Sequence, residues 1–385
     1  GEVIFVSHQW CAFRHPDPGF IQLSLLQKIL RQALVGKLRV EVDFSSKVAY
    51  NTKPTLKSTD LRALPACHIW FDYFAVPQPE AAMAESDQHT DLSSDMGKAI
   101  ASLQHYVALS RYFIVIAPFL KHSDKKNVDL DFISWKTRGW CRLEWMARVL
   151  SPIHTDTLLA TREDVLFELG GKDYLVNPVC EGAFTVEDDR YNIADIVVEL
   201  LSDKLQRLLQ RREFETFRLL AAAASIILRG APAAESAGLQ EVTRNGVAKF
   251  LKRSCDSEVT EFMDICGYGD PVMPRAALPP LLMAALAGNA KAVKGMLNQR
   301  ASVHERSRRQ IPDVIIGKGT TALHVAAMNG HSEVVEELLA HRAHVEVRSK
   351  GTGNTPLTSS GAGGHFGVTE LLLRRRADPK ARNRL

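Results

Sequence analysis

The stretch TTALHVAAMNGHSEVVEELLAHRAHVEVRSKGTGN, from Thr320 to Asn354, decides the fold of the C-terminal third of this 385-residue chain. Its first half predicts a short helix that ends at Asn329-Gly330-His331, and its second half predicts a helix with valine and leucine on one face. A related stretch starts 34 residues later, at Asn354, and a more divergent one covers Leu281 to Leu297. Each helix pair has an apolar face too small to form a core alone, so the sequence predicts copies that stack.

This pattern resembles the ankyrin repeat, with its period of about 33 residues and its T-P-L-H-x-A signature. The resemblance covers residues 278–385, about three repeats, and implies an all-α solenoid whose groove binds a protein partner. We expect His324 to join neighbouring repeats by hydrogen bonds rather than to act in catalysis. The third copy carries Gly361 within its first helix. Because glycine costs about 1 kcal/mol relative to alanine in a helix, this helix should be the least stable of the set.

Length and composition predict two or three domains in an ordinary globular chain, with 45% hydrophobic and 24% charged residues. The longest apolar run, Leu219 to Leu228, is about half the length needed to cross a bilayer, so no membrane association is expected. The chain starts in a predicted strand and ends without a polar capping repeat, which predicts a fragment trimmed at both ends. Its six cysteines form no C-x-x-C pair, which favours an intracellular, most simply cytoplasmic, setting without a zinc site.

Charge is distributed unevenly along the chain. From Ala276 onward there are 16 Lys and Arg against 8 Asp and Glu, whereas the preceding residues hold 32 against 36. A basic array beside a mildly acidic region predicts a partner with an acidic surface, or association between the two halves. Nucleic acid is disfavoured as a partner, because the basic residues lack interleaved aromatic residues on which bases could stack.

The N-terminal half contains three predicted strands, each followed by a loop. Val3 to Val6 precedes Ser7 and His8, His68 to Phe71 precedes Asp72, and Phe113 to Ala117 ends at Pro118. Helical patterns lie between these strands, which predicts a parallel sheet with both faces covered. Ligands bind such sheets outside the carboxyl ends of the strands, where these polar residues would lie.

A fourth segment, Arg138-Gly139-Trp140-Cys141-Arg142-Leu143-Glu144, opens a helix predicted to continue to Leu150. Together with Phe5-Val6-Ser7 and Ser110-Arg111-Tyr112-Phe113, it resembles the TIR superfamily, whose plant-type members carry a W-C-x-x-E helix. Trp70 to Gln78 is also similar to a segment of the fungal heterokaryon-incompatibility (HET) domain. The resemblance covers roughly residues 1–180 and implies a TIR-like α/β domain with flavodoxin-like layers over residues 1–199. The spacing of apolar residues beyond it predicts a helical adaptor over 200–277. The chain departs from plant TIR domains at Ser7 to Trp10 and by an insertion from Lys37 to Ala66.

The TIR resemblance implies signalling by self-association, or cleavage of NAD as a substrate, with no bound cofactor. Glu144 matches the family's catalytic glutamate and could stabilise the positive charge that develops on the ribose as nicotinamide leaves. The alternative is a surface glutamate paired with Arg148, four residues further along the helix. On balance the sequence favours a binding and signalling scaffold over an enzyme.

Five further residues are candidates for binding a nucleotide: Ser7, His8, Trp10, Asp72 and Trp140. Asp72 could bind a ribose hydroxyl or cap the following turn. Ser7 and His8 could form a polar floor or bond to neighbouring loops. Trp10 and Trp140 could stack on a nucleotide ring or pack in the core. The acidic stretch from Pro79 to Asp95 is predicted to be a solvated loop, with a lid as the alternative.

The adaptor is predicted to be helical and to give the first repeat a face on which to stack. Apolar residues keep helical spacing from Ile193 to Leu209 and from Phe214 to Leu228. Val247 to Leu251 and Val259 to Ile265 are predicted to add short helices before the repeats.

Overall fold

The computed structural model describes residues 2–13, 15–43, 53–75, 98, 102–152, 157–169, 173–231, 262–263, 278–311 and 314–384. They form two compact units. The first comprises the described residues up to Leu200, together with Gly230 and Ala231. The second comprises Leu201 to Arg229 and the described residues from 262 onward. Among these residues no helix has both the length and the apolar character needed to cross a membrane. The acidic stretch predicted over Pro79 to Asp95 lies outside the described residues.

The first unit is an α/β unit whose elements, in chain order, are β1 (Val3–His8), α1 (Ile21–Leu34), β2 (Arg39–Val42), a 3₁₀ segment (Asp60–Ala66), β3 (His68–Phe71), α2 (Asp72–Ala75), α3 (Leu103–Leu109), β4 (Tyr112–Ile116), β5 (Leu120–Lys121), β6 (Asp129–Leu130), α4 (Phe132–Trp135), α5 (Gly139–Leu150), β7 (Thr157–Arg162), β8 (Val165–Leu169), α6 (Asp173–Val176), a second 3₁₀ segment (Val179–Glu181) and α7 (Asp189–Gln210). The unit division falls within α7.

The main sheet has six strands in the order β2-β8-β7-β4-β1-β3. As predicted, β1, β3 and β4 run parallel, and β7 continues this parallel set. The sheet is mixed rather than purely parallel, as the predicted parallel sheet did not include β8, which pairs antiparallel with β7. Only Glu163 and Asp164 separate these two strands, and two residues can close a hairpin but not a crossover connection. The segment predicted as an insertion supplies β2, which pairs with β8 at the sheet edge.

The two faces of the sheet follow from the alternation of side chains along β1. Ile4 and Val6 belong to a core cluster that also contains Leu26 and Ile29 of α1. Phe5 lies on the opposite face, where its ring stacks on that of Phe113 at 5.3 Å. Helix α5 packs against β1. Odd-numbered residues of β1 therefore point towards the side that carries α5, which determines where Ser7 lies.

The second unit contains the end of α7 and the helices α8 (Phe214–Ile227), α9 (Pro280–Leu286), α10 (Ala290–Asn298), α11 (Ala322–Asn329), α12 (Ser332–Ala340), α13 (Pro356–Gly363) and α14 (Phe366–Arg374). Helices α9, α11 and α13 stack on one another, as do α10, α12 and α14, so the predicted solenoid is confirmed. Gly330 and Gly364 end the first helices of their repeats at φ angles of 79° and 75°, a region that glycine enters without steric cost.

Hydrogen bonds hold successive repeats together. The predicted structural role of His324 is confirmed: its ring bonds to Thr321 within the repeat, and its Nε2 lies 2.9 Å from the carbonyl oxygen of Asn354 in the next. Helix α8 packs on α9, and Ser225 Oγ donates to the carbonyl of Ala287. Apart from residues 262–263, the helices predicted at Val247 to Leu251 and Val259 to Ile265 lie outside the described residues.

Candidate functional site

Ser7 and Glu144 meet at the carboxyl end of β1. Ser7 Oγ donates to Glu144 Oε2 at 2.5 Å, and both residues are buried. Trp135, which is fully buried, donates its indole N–H to Ser7 Oγ at 3.1 Å. Because that N–H occupies an acceptor position of the hydroxyl, the hydroxyl proton is directed to the carboxyl group. Ser7 therefore fixes one oxygen of Glu144.

The environment of Glu144 makes its carboxyl group unusually basic. Burial raises its pKa to about 8; the hydrogen bond from Ser7 and the charge of Arg138 oppose this rise, and the charge of Asp72 adds to it. The alternative of a surface ion pair with Arg148 is wrong. Both side chains are buried against the α/β core, and the Arg148 guanidinium donates to backbone carbonyls, including that of Ser110 at 2.8 Å.

His8 and Trp10 both hold the carboxylate of Asp72. His8 Nε2 lies 2.6 Å from Asp72 Oδ1, and the Trp10 indole N–H donates to Asp72 Oδ2 at 3.2 Å. The His8 ring also stacks on that of Phe71, with centroids 4.3 Å apart. Asp72 keeps 28% of its side chain exposed, whereas that of His8 is 1% exposed. Of the His8–Asp72 pair, the carboxylate is therefore the group that faces solvent.

Helix α5 supplies a second wall. Trp140 donates its indole N–H to Asp189 Oδ2 at 3.0 Å, which fixes its ring beside the start of α7. Gly139 N donates to the carbonyl of Ala183 at 2.9 Å, so the chain after the second 3₁₀ segment runs along the start of α5. A Cβ atom on Gly182 would lie 2.5 Å from the Cα of Gly139. This close backbone approach requires glycine.

These groups surround one pocket of about 780 Å³, which lies outside the carboxyl ends of β1 and β3. The predicted candidates His8, Trp10, Asp72, Trp140 and Glu144 all line it. Ser7 lies behind Glu144 and is connected to the pocket through it. The sequence therefore identified residues that the fold brings together.

Several lining residues were not predicted: Phe13, His122, Lys125, Arg138 and Phe184. Four of them come from loops whose path no periodic pattern reveals. Arg138 had a detectable signal, since it directly precedes a helix predicted to start at a strand edge.

The loop between β5 and β6 forms one side of the pocket. The Lys125 ammonium lies 5.2 Å from the centre of the Phe13 ring, and the His122 ring meets the same ring edge-on at 5.4 Å. His122 Nδ1 accepts the backbone N–H groups of Asp124 and Lys125 at 3.1 Å each. A neutral imidazole that accepts through Nδ1 carries its proton on Nε2. His122 therefore presents an N–H donor.

The second unit presents a basic surface. Of its arginines and lysines from Ala276 onward, all but Arg306 are exposed. Arg306 and Arg348 hold equivalent places in successive repeats, and each donates to the backbone carbonyl of the equivalent arginine in the next repeat, at 2.9 and 2.7 Å. The loops therefore stack in register. Lys318 and Lys350 are adjacent at their tips, where Gly351 N donates to the Lys318 carbonyl at 3.2 Å.

Comparison with known proteins agrees with this part of the fold. Residues 280–383 match the model of the family described as ankyrin repeats, in three copies. These residues form a protein–protein interaction module. No curated protein matches the chain. The TIR and HET resemblance of the first unit has no counterpart in these comparisons.

Proposed function

We propose that this protein is a signalling scaffold whose ankyrin repeats bind a protein with an acidic surface, while the first unit, as a TIR-like module, supplies the output. The observation that carries this proposal is the excess of exposed cations on stacked repeats. Ankyrin arrays have no chemistry of their own, and complementary charge steers and orients a protein partner.

Few carboxylates neutralise this surface within the repeats. Lys294 pairs with Glu337 at 3.1 Å, and Arg374 pairs with Glu370 at 2.6 Å, both on the second helices of the repeats. At the loop tips, Lys318, Lys350 and Arg384 are exposed. An acidic partner would therefore find its strongest complement along the loops.

The test is the salt dependence of partner capture by the full chain. Raising the salt from about 0.1 M to about 1 M shortens the Debye length from about 10 Å to about 3 Å, so partners held by charge should be released. Retention of the same partners at both salt concentrations would count against the proposal. Self-association through the first unit is a separate prediction, tested by light scattering of the isolated protein.

A second candidate function is cleavage of NAD, which the position of Glu144 in the pocket wall favours. The bond between the nicotinamide nitrogen and the ribose carbon breaks, and its electron pair leaves with nicotinamide. Water then adds to the ribose carbon and loses a proton. A carboxylate beside that carbon would stabilise the positive charge of the transition state. Trp10 and Trp140 would pack against the rings, and Asp72 would accept from a ribose hydroxyl.

Nicotinamide release by the purified chain tests this second candidate. Glu144 must be ionised to act, so the rate should rise with pH through about 8. Glu144→Gln should lower the rate at least about a hundredfold, because the amide carries no charge. Arg31→Gln, on the exposed side of α1, is a matched control. Equal rates for the wild type and Glu144→Gln would remove the enzymatic candidate.

A further inference from the structure

The Arg138 side chain is a cation without a partner in the pocket wall. It lines the pocket and makes no hydrogen bond or ion pair with any residue that the structure describes. Its positive charge is felt by two buried groups. Burial raises the pKa of Glu144 and that of Cys141, and the charge of Arg138 opposes both rises. A partly buried guanidinium that faces a cavity without a counter-ion is a ready site for an anion.

None of the acidic groups that the structure describes around the pocket forms an ion pair with this cation. The pKa of Glu144 is raised to about 8, so this group is mostly neutral at pH 7. The Asp72 carboxylate is held by His8 and Trp10. Asp129 of β6 pairs with Lys121 of β5 at 3.0 Å, and Asp124, in the loop between these strands, accepts the backbone N–H of Phe13 at 2.6 Å.

Two further donors line the same cavity. His122 presents its Nε2–H, and Lys125 carries an ammonium group over the Phe13 ring. Burial and then the charge of Lys125 lower the pKa of His122; the charge of Asp124 opposes this shift, and that of Arg138 adds a smaller lowering. Lys125 and Arg138 therefore both lie within electrostatic reach of His122. One fork-shaped guanidinium, one ammonium and one neutral N–H donor match a group that carries several oxygens and more than one negative charge. A phosphate has these properties.

We propose that Arg138, with Lys125 and His122, forms a phosphate subsite, so that the ligand of the pocket is a phosphate-bearing molecule. This inference rests on the proposed function only in taking the pocket as the ligand site of the first unit. It requires neither NAD cleavage nor partner binding by the repeats. Arg138 is then the residue that selects phosphorylated ligands over their uncharged counterparts.

Calorimetric titration of the full chain with AMP and with adenosine tests the subsite, because the two probes differ only in the phosphate. We expect AMP to bind the wild type at least about tenfold more tightly, which corresponds to about 1.4 kcal/mol. Arg138→Gln should abolish this preference and leave adenosine binding unchanged. Arg138→Lys should keep part of it, since lysine retains the charge but not the fork. Inorganic pyrophosphate should raise the melting temperature of the wild type more than that of Arg138→Gln.

Two results would overturn the proposal: equal AMP affinity in the wild type and Arg138→Gln, or no response of the wild type to either phosphate probe. Arg138 makes no side-chain bond to any residue that the structure describes, and circular dichroism verifies that its variants fold. Lys28→Gln, on α1 and outside the pocket lining, is the matched control for a general loss of charge. Phosphate preference without nicotinamide release would support the subsite and reject only NAD cleavage.

Discussion

At the scale of single residues, Glu144 illustrates how burial changes the chemistry of a carboxyl group. In the unfolded chain its pKa is close to 4.5, and in the folded protein it is about 8. The folded state therefore binds a proton that the unfolded state has lost, and stability from this group is present below 4.5 and is lost as the pH rises through 8.

Glu144→Gln should remove this dependence. The amide oxygen can still accept from Ser7, and no charge has to be buried at high pH. We expect the variant to gain stability relative to the wild type between pH 5 and pH 9, measured as the difference in melting temperature at each pH. A constant difference across this range would show that Glu144 is not buried as described.

For His324 and His331 in the repeats, stability changes with pH in the opposite direction. Burial lowers the pKa of each imidazole to about 4 from 6.5. Protons therefore favour the unfolded chain in this window, and the stability present above pH 6.5 is lost as the pH falls towards 4, by about 3 kcal/mol for each group. Chemical denaturation at pH 7 and pH 4 measures this loss. His331→Gln should flatten this pH dependence.

The sequence predicted the relative positions of candidate residues where a single motif lies on a single helix. The W-C-x-x-E spacing correctly brought Glu144 and Trp140 to a common helix, and that helix runs beside the end of β1. It could not reveal Trp135 or Arg148, whose partners depend on the packing of α5 against the sheet. The spacing also could not reveal that Glu144 is buried. It predicts which side of the helix carries Glu144, but not which residues pack against that side.

At the scale of elements, the strands and helices with clear periodicity were found within a few residues. Strand β3 has the predicted bounds, and helix α5 ends at Leu150 as predicted. The hairpin of β7 and β8 was missed, because Glu163-Asp164 lacks the glycine or asparagine that usually marks a two-residue turn. That omission is why the predicted parallel sheet lacked its antiparallel strand.

The expected weakness of helix α13, which contains Gly361, can be tested by substitution. A Cβ atom on Gly361 would meet nothing within 4 Å, so Gly361→Ala should stabilise the second unit by about 1 kcal/mol through helix propensity alone. Gly330→Ala is the matched opposite. Its φ of +79° is strained for alanine, and the new Cβ would lie 2.6 Å from His365 Nδ1. Urea denaturation should show a gain for the first variant and a loss for the second; a loss for both would refute the assignment of Gly361 to an open helix position.

At the scale of the whole molecule, the excess of basic residues after Ala276 lies on the exposed surface of the repeats. Periodicity was enough to predict the stacked repeats, because each repeat contacts only its neighbours and local patterns decide the fold. The first unit required contacts between residues far apart in the chain, such as Ser7 and Glu144, and its pocket could be anticipated only as an edge of the sheet.

The central claim is that the basic loops of the repeats hold the partner. The most direct test compares proteins captured by the full chain with those captured by a Lys318→Glu, Lys350→Glu, Arg384→Glu variant. The control reverses three exposed lysines of the first unit, Lys37→Glu, Lys53→Glu and Lys57→Glu. We predict that quantitative mass spectrometry finds acidic proteins with the wild type and the control but at least about tenfold fewer with the repeat variant. Equal recovery with all three proteins would contradict the account.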